Sequence, residues 1–198
     1  MTQATLIAEC GASKVSRDQL RTIPVPESTR TFKPIPHHEI VDALVEALSF
    51  RHIGVIRDEY AVSPDGMRMF GALDLETAFD GCRFAIGLRN SHDRSMRLAL
   101  TCGYRVTVCT NMAFSGDFQP VLAKHSKSFS LVDAISVGVD RMQRNFEPMR
   151  QQVETWRQTA EYRHSQDDHL PGLHRKRAGG SAAPDAASAR LVLLAAIS

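Results

Sequence analysis

At 198 residues, 43% of them hydrophobic and 23% charged, the chain has room for one domain with an ordinary core, and its composition excludes a wholly disordered protein. Its four cysteines, Cys10, Cys82, Cys102 and Cys109, form no CxxC pair and no zinc spacing with histidine, which excludes a disulfide scaffold and suits a reducing compartment. The N-terminus lacks the basic start and apolar run of a signal peptide, and the longest apolar run, residues 191–197, is too short to cross a bilayer, so a cytoplasmic location is expected.

Residues 1–36 are expected to form an extended arm, because Pro24, Pro26, Pro34 and Pro36 favour extended backbone and lack amide donors. Ile40, Leu44 and Leu48 recur at helical spacing and predict a helix over 37–50, with Glu39, Asp42 and Glu46 on its other face. Residues 55–62 and 67–75 flank Ser63-Pro64-Asp65-Gly66, a type I turn sequence, and predict a β-hairpin. Strict apolar alternation then runs through Cys82, Phe84, Ile86 and Leu88. It resumes through Met96, Leu98, Leu100, Cys102, Tyr104, Val106 and Val108, predicting two strands with one buried face and a bulge or bend at Gly103. A long helix is expected over 131–161, capped by Ser130 and Asp133. Ile135, Val139, Met142, Phe146, Met149, Val153 and Trp156 alternate steps of four and three, and Pro148 should bend it. That seam predicts burial of Phe146 and Trp156 against the protein's own sheet, with a homo-oligomer through the same seam as the alternative. Residues 163–198 carry no periodicity and are expected to be a disordered tail after an α+β domain over 37–162.

Charge is distributed unevenly. Residues 81–116 hold five arginines, Arg83, Arg89, Arg94, Arg97 and Arg105, against the single acid Asp93, whereas residues 37–80 hold nine acids against Arg51, Arg57 and Arg68. Along the two alternating strands Arg83, Arg89, Arg97 and Arg105 share the face opposite the apolar one, a pattern that suits contact with a phosphate backbone. The plainer alternative is a solvated face, or one covered by the acidic helix. Exposed aromatics for stacking are not evident on these strands, and Phe114 and Phe118 in the following loop are the better candidates.

For catalysis the candidates are His92, Asp93 and Asn111, with Asp93 orienting His92 as a general base. Against this, Asn90-Ser91-His92-Asp93 also reads as a polar turn whose side chains bond their own backbone. Asp117, His125, His92 and Asp93 could be gathered around a metal, but no spacing demands it; neither metal nor cofactor is expected. No phosphate-binding loop, dinucleotide fingerprint or nucleophile elbow is present.

Several segments carry a further signal: Gly11-Ala12-Ser13, Ile23-Pro24, the run Phe32-Lys33-Pro34-Ile35-Pro36-His37, residues 87–95, residues 109–116, Lys124-His125, and Asp140-Arg141 through Asn145-Phe146. Together they resemble an uncharacterised family associated with phages and plasmids, filed as a domain of unknown function, over residues 10–160. The resemblance implies a mobile-element context and a cytoplasmic location, and brings no reaction or catalytic residue. Members of that family continue into a further helical segment. Here the pattern departs near Tyr162, as in a truncated or frame-shifted C-terminus.

The expected protein is therefore α+β, a mainly antiparallel sheet packed by an N-terminal helix and a long C-terminal helix. Its order of elements loosely resembles that of single-strand annealing recombinases. The expected function is that of a mobile-element accessory protein binding nucleic acid, with single-stranded DNA a candidate, through Arg83, Arg89, Arg94, Arg97 and Arg105. The alternatives are a protein-binding inhibitor of host defence that uses Glu39, Asp42 and Glu46 as a nucleic-acid mimic, and a hydrolase centred on His92 and Asp93.

Overall fold

The structure is a computed structural model that describes residues 11–79, 82–106, 112–113, 118–126 and 128–167, and these fall into two compact units, 11–143 and 144–167. In the first unit, seven strands form one antiparallel sheet: β1 (Ser13–Val15), β2 (Val55–Val62), β3 (Arg68–Phe79), β4 (Cys82–Ser91), β5 (Leu98–Val106), β6 (Met112–Ala113) and β7 (Val121–Ala123). The first five lie side by side in chain order. The outer edge of β5 is shared, with β6 on Tyr104 and Arg105 and β7 on Leu98–Leu100.

The expected hairpin is β2–β3. Its turn closes through the Gly66 amide on the Ser63 carbonyl at 2.8 Å, with Gly66 at φ 71, a backbone conformation that favours glycine. The period-2 stretches are β4 and β5, and their register confirms one apolar face: Leu73, Ile86 and Cys102 align across β3, β4 and β5, as do Gly71, Leu88 and Leu100. Gly103 sits in regular register opposite Ala85, so no bulge occurs there. The irregularity is in β3 instead, between Asp74 and Ala78, where Leu75, Glu76 and Thr77 stand opposite Phe84 alone.

Within the arm, β1 extends the sheet and α1 (Arg17–Leu20) follows it, capped at Ser16 by reciprocal bonds with Gln19. Helix α2 (His37–Phe50) buries Ile40, Val41, Leu44 and Leu48, the expected stripe with one residue added. Its C-terminus is a Schellman turn, in which the Ile53 amide bonds the Leu48 carbonyl, the His52 amide bonds the Ser49 carbonyl, and His52 takes φ 57. An exposed histidine in that conformation is strained by about 1–2 kcal/mol, partly offset by the lower chain entropy of a non-glycine residue when unfolded. His52→Gly should therefore raise stability by roughly 0.5–1 kcal/mol, read as a higher urea midpoint at unchanged slope.

Helix α3 (Leu131–Asp167) starts at Ser130, whose hydroxyl accepts the Asp133 amide at 3.4 Å. In the first unit Ile135, Val139 and Met142 are buried, and Gly138 comes so close to Val121 of β7 that a β-carbon there would overlap the valine side chain. Arg51, at the end of α2, joins the two helices through the Asp140 carboxylate and through Ser136. In the second unit the helix continues through Pro148; Met149 and Val153 are buried and Phe146 half-buried, but Trp156 is 53% exposed. The expected burial of Trp156 is thus corrected: the apolar seam ends at Val153, where polar residues take over the helix. Residues 168–198, most of the expected tail, lie outside the described residues.

Candidate functional site

The two faces of the sheet have different neighbours. Val121, level with Leu100, meets Gly138 of α3, and His92 stacks on His37 of α2, so both helices lie on the apolar face. The opposite face carries Phe70, Ala72 and Asp74 of β3, then Arg83, Ala85, Gly87 and Arg89 of β4, then Ala99, Thr101, Gly103 and Arg105 of β5. Neither α2 nor residues 131–143 of α3 packs there. Its centre is nevertheless buried, with Phe70 at 4% and Ala85 at 0% exposure, and it holds the acid Asp74.

Its cations differ in what they touch. Arg83 fills the β3 irregularity, donating from Nη1 to the carbonyls of Leu75 and Glu76 at 3.0 and 3.2 Å. Arg105 pairs with Arg83 across β4 and β5, and its side chain lies outside what the structure describes. Arg89 is half-buried, with a buried Nε that has no hydrogen-bond partner. Arg68 is in the same condition. It is two residues from Phe70, the β3 partner of Arg89, and on the same face, so the two residues are diagonal neighbours. Neither forms an ion pair among the described residues.

The row continues across the same end of the sheet. Arg68 pairs with Ser91, and one step outward from the Leu98–Ala123 pair stand Arg97 and Lys124, both exposed. Between them the β4–β5 turn is closed by the Ser91 hydroxyl, which bonds the amide and carbonyl of Met96 at 3.0 Å each. The turn presents Arg94 at φ 66, exposed, its Nη2 donating to Thr29 Oγ1 at 2.7 Å and its guanidinium 4.7 Å from the ring centroid of Phe32. The one acid of this turn, Asp93, accepts the Ser95 amide at 2.9 Å. Burial, the largest single influence, raises its pKa, but the hydrogen bonds from Ser95 and Ser91 and the charge of Arg68 together hold it below the usual carboxylate range.

Behind this turn, on the helix side, lies a buried polar cluster. Asn90 Nδ2 donates to the Ile35 carbonyl at 3.0 Å and contacts His37 Nδ1 at 2.9 Å, while His37 Nε2 bonds the Gly66 carbonyl at 3.1 Å. That fixes His37 as the neutral tautomer with its proton on Nε2. His92, 3% exposed, bonds the same Ile35 carbonyl through Nε2 at 3.0 Å and stacks on His37 with ring centroids 3.9 Å apart. His125 is stacked on Phe32 and buried, with no partner for either ring nitrogen, and His92 Nδ1 and Asn90 Oδ1 are likewise unpartnered. Desolvation, with repulsion from His92 and His125, pushes His37 down to about 3. Desolvation and His92 push His125 down to about 4, and desolvation lowers His92.

No hydrogen bond joins His92 to Asp93; the first faces Ile35 and the second its own turn, so the geometry is that of the polar turn. Asn111 and Asp117 lie outside the described residues. Among the described residues no group of three or more His, Cys, Asp or Glu is placed to hold a metal, and no helix is long and apolar enough to cross a membrane. On the acidic helix, Asp42 is bound by Arg17 and Arg21 at 2.7 Å each, which removes it from the trio that the mimic hypothesis needs. The sequence reading did not assign Arg68, Lys124, Phe32, His37 or Asn90 to a site. Three separate stretches of the chain, 32–37, 87–95 and 124–125, meet here. No protein-family model matches the chain, and no curated protein or solved structure is significantly similar to it.

Proposed function

We propose that the chain binds nucleic acid through its phosphodiester backbone, along the row Arg68, Arg89, Arg97 and Lys124 at the β4–β5 turn end of the sheet. One observation carries this reading: Arg68 and Arg89 are diagonal neighbours on the basic face, both half-exposed and neither in an ion pair among the described residues. Two neighbouring cations without a carboxylate partner form a receptor for an anion, and planar guanidinium suits phosphate oxygens in particular. Arg97 and Lys124 extend the row at strand spacing, about 4.8 Å per step, so the whole row spans roughly 14 Å, room for successive phosphates. The resemblance to the phage- and plasmid-associated family supports a mobile-element setting for this activity, as an accessory protein without turnover of its own.

Four phosphate contacts give an expected log–log salt slope of about −3 on single strands and about −4 on duplex. The double substitution Arg68→Gln, Arg89→Gln keeps side-chain bulk and should flatten the slope by roughly 1.5 to 2 units, with an unchanged circular dichroism spectrum. Absence of polynucleotide binding at 50 mM salt, or a slope that the double variant leaves untouched, would sink the proposal.

A further inference from the structure

We infer that the nucleic acid is single-stranded and that one unpaired base stacks on the outer face of Arg94. This rests on the reading of the basic row and adds the base to its phosphates. The β4–β5 turn and the arm meet at Phe32: the His125 ring lies 5.5 Å from it at an interplanar angle of 11°, and the Arg94 guanidinium lies over the Phe32 ring, 4.7 Å from its centroid. His125 is buried, and Arg94 is exposed.

Each of these groups is held in place. Thr29 is the pin: its hydroxyl accepts both from Arg94 Nη2 at 2.7 Å and from the Phe32 amide at 3.2 Å, while its own amide bonds the Phe32 carbonyl at 2.8 Å. His125 is tied to the arm by its carbonyl, which accepts the Lys33 amide at 3.3 Å. Arg94 adopts φ 66, which a non-glycine side chain takes only at a cost of about 1–2 kcal/mol. Strain of that kind persists where surrounding contacts over-determine it, and here its product is an exposed guanidinium plane fixed beside the phosphate-binding row. Arginine planes and aromatic rings are the surfaces on which unstacked bases rest, whereas a duplex keeps its base faces covered. Arg97, three residues on, and Lys33 and Lys124 on either side of His125 flank the platform with exposed positive charge.

The test compares three probes of equal length with the full chain: a single-stranded oligothymidylate, its abasic sugar–phosphate counterpart, and a duplex. The wild type should bind the oligothymidylate on the order of tenfold more tightly than the abasic strand. Arg94→Lys keeps the charge and removes the plane; Phe32→Leu keeps bulk and removes the ring beneath it. Both should erase most of that tenfold difference while leaving abasic affinity within about twofold. Equal binding of base-bearing and abasic strands by the wild type, preference for the duplex, or an undiminished ratio in Arg94→Lys each overturns the stacking platform. The first and third of these outcomes leave phosphate binding by Arg68 and Arg89 intact, and failure of all three probes to bind removes both proposals together.

Discussion

Acidification from pH 7.5 to pH 5.0 should destabilise this protein by about 4 kcal/mol. The source is the cluster of His37, His92 and His125. All three are buried, and burial lowers each pKa, to about 3 for His37 and about 4 for His125. In the unfolded chain each returns to about 6.5. Above that pH both states are neutral and the histidines leave stability unchanged. As pH falls through 6.5 the unfolded state takes up protons that the folded state refuses, so stability declines. The decline continues down to about pH 4 for His125 and about pH 3 for His37. His37 and His125 each contribute about 1.4 kcal/mol per pH unit inside their windows, or close to 2 kcal/mol at pH 5, and His92 acts in the same direction. Urea unfolding at the two pH values measures the loss. His125→Phe separates this mechanism from others: with neither ring nitrogen partnered, the swap should be near neutral at pH 7.5 and should recover about 2 kcal/mol at pH 5. A flat stability profile between the two pH values would show that the cluster is solvated or otherwise compensated.

That cluster also marks where sequence reasoning stops. The hairpin at Ser63–Gly66, the period-2 strands and the helix stripe of Ile40, Leu44 and Leu48 were legible because each follows from a local period or a turn composition. Whatever depends on register was not. Arg68 counts, by position, among the acids of residues 37–80, and only its pairing with Ser91 carries it to the basic end of the sheet. Arg83 falls on the expected face, but the irregularity between Asp74 and Ala78 supplies two carbonyls that occupy its guanidinium, and no composition rule foretells an irregularity. Gly103 illustrates the converse: a glycine in a strand suggests a bend, and here it lies in an unbroken ladder opposite Ala85. His37, Asn90, His92 and His125 come from an arm-to-helix junction, a strand end and a loop. His92 and His125 drew notice in the sequence only as separate catalytic or metal candidates, and nothing local announced that they would meet His37 and Asn90.

Removing Arg51 should be the most damaging single substitution on the helix side of the sheet. Its guanidinium, with the side chain 13% exposed, bonds Asp140 Oδ1 from Nε at 2.6 Å, the Ala47 carbonyl from Nη1 at 3.0 Å, and both the carbonyl and hydroxyl of Ser136 from Nη2 at 3.1 and 2.8 Å. Four acceptors on two helices thus converge on one planar fork, an arrangement that lysine, with a single ammonium, does not reproduce. Arg51→Met retains the apolar stem and should cost about 2–4 kcal/mol, since the Ala47 carbonyl at the end of α2 and the Ser136 carbonyl and hydroxyl lose this donor while the more exposed Asp140 turns to water. Arg51→Lys should recover less than half of that loss. A double-mutant cycle with Asp140→Asn should give a coupling of about 1 kcal/mol or more. Because α2 and residues 131–143 of α3 lie on the face opposite Arg68 and Arg89, Arg51→Met should leave the salt slope of polynucleotide binding unchanged wherever the variant is folded. If unfolding is perturbed by less than about 0.5 kcal/mol, the fork is dispensable and apolar contact alone holds the two helices together. If binding falls with stability intact, the helix layer and the basic row are coupled, and the two faces of the sheet do not act independently.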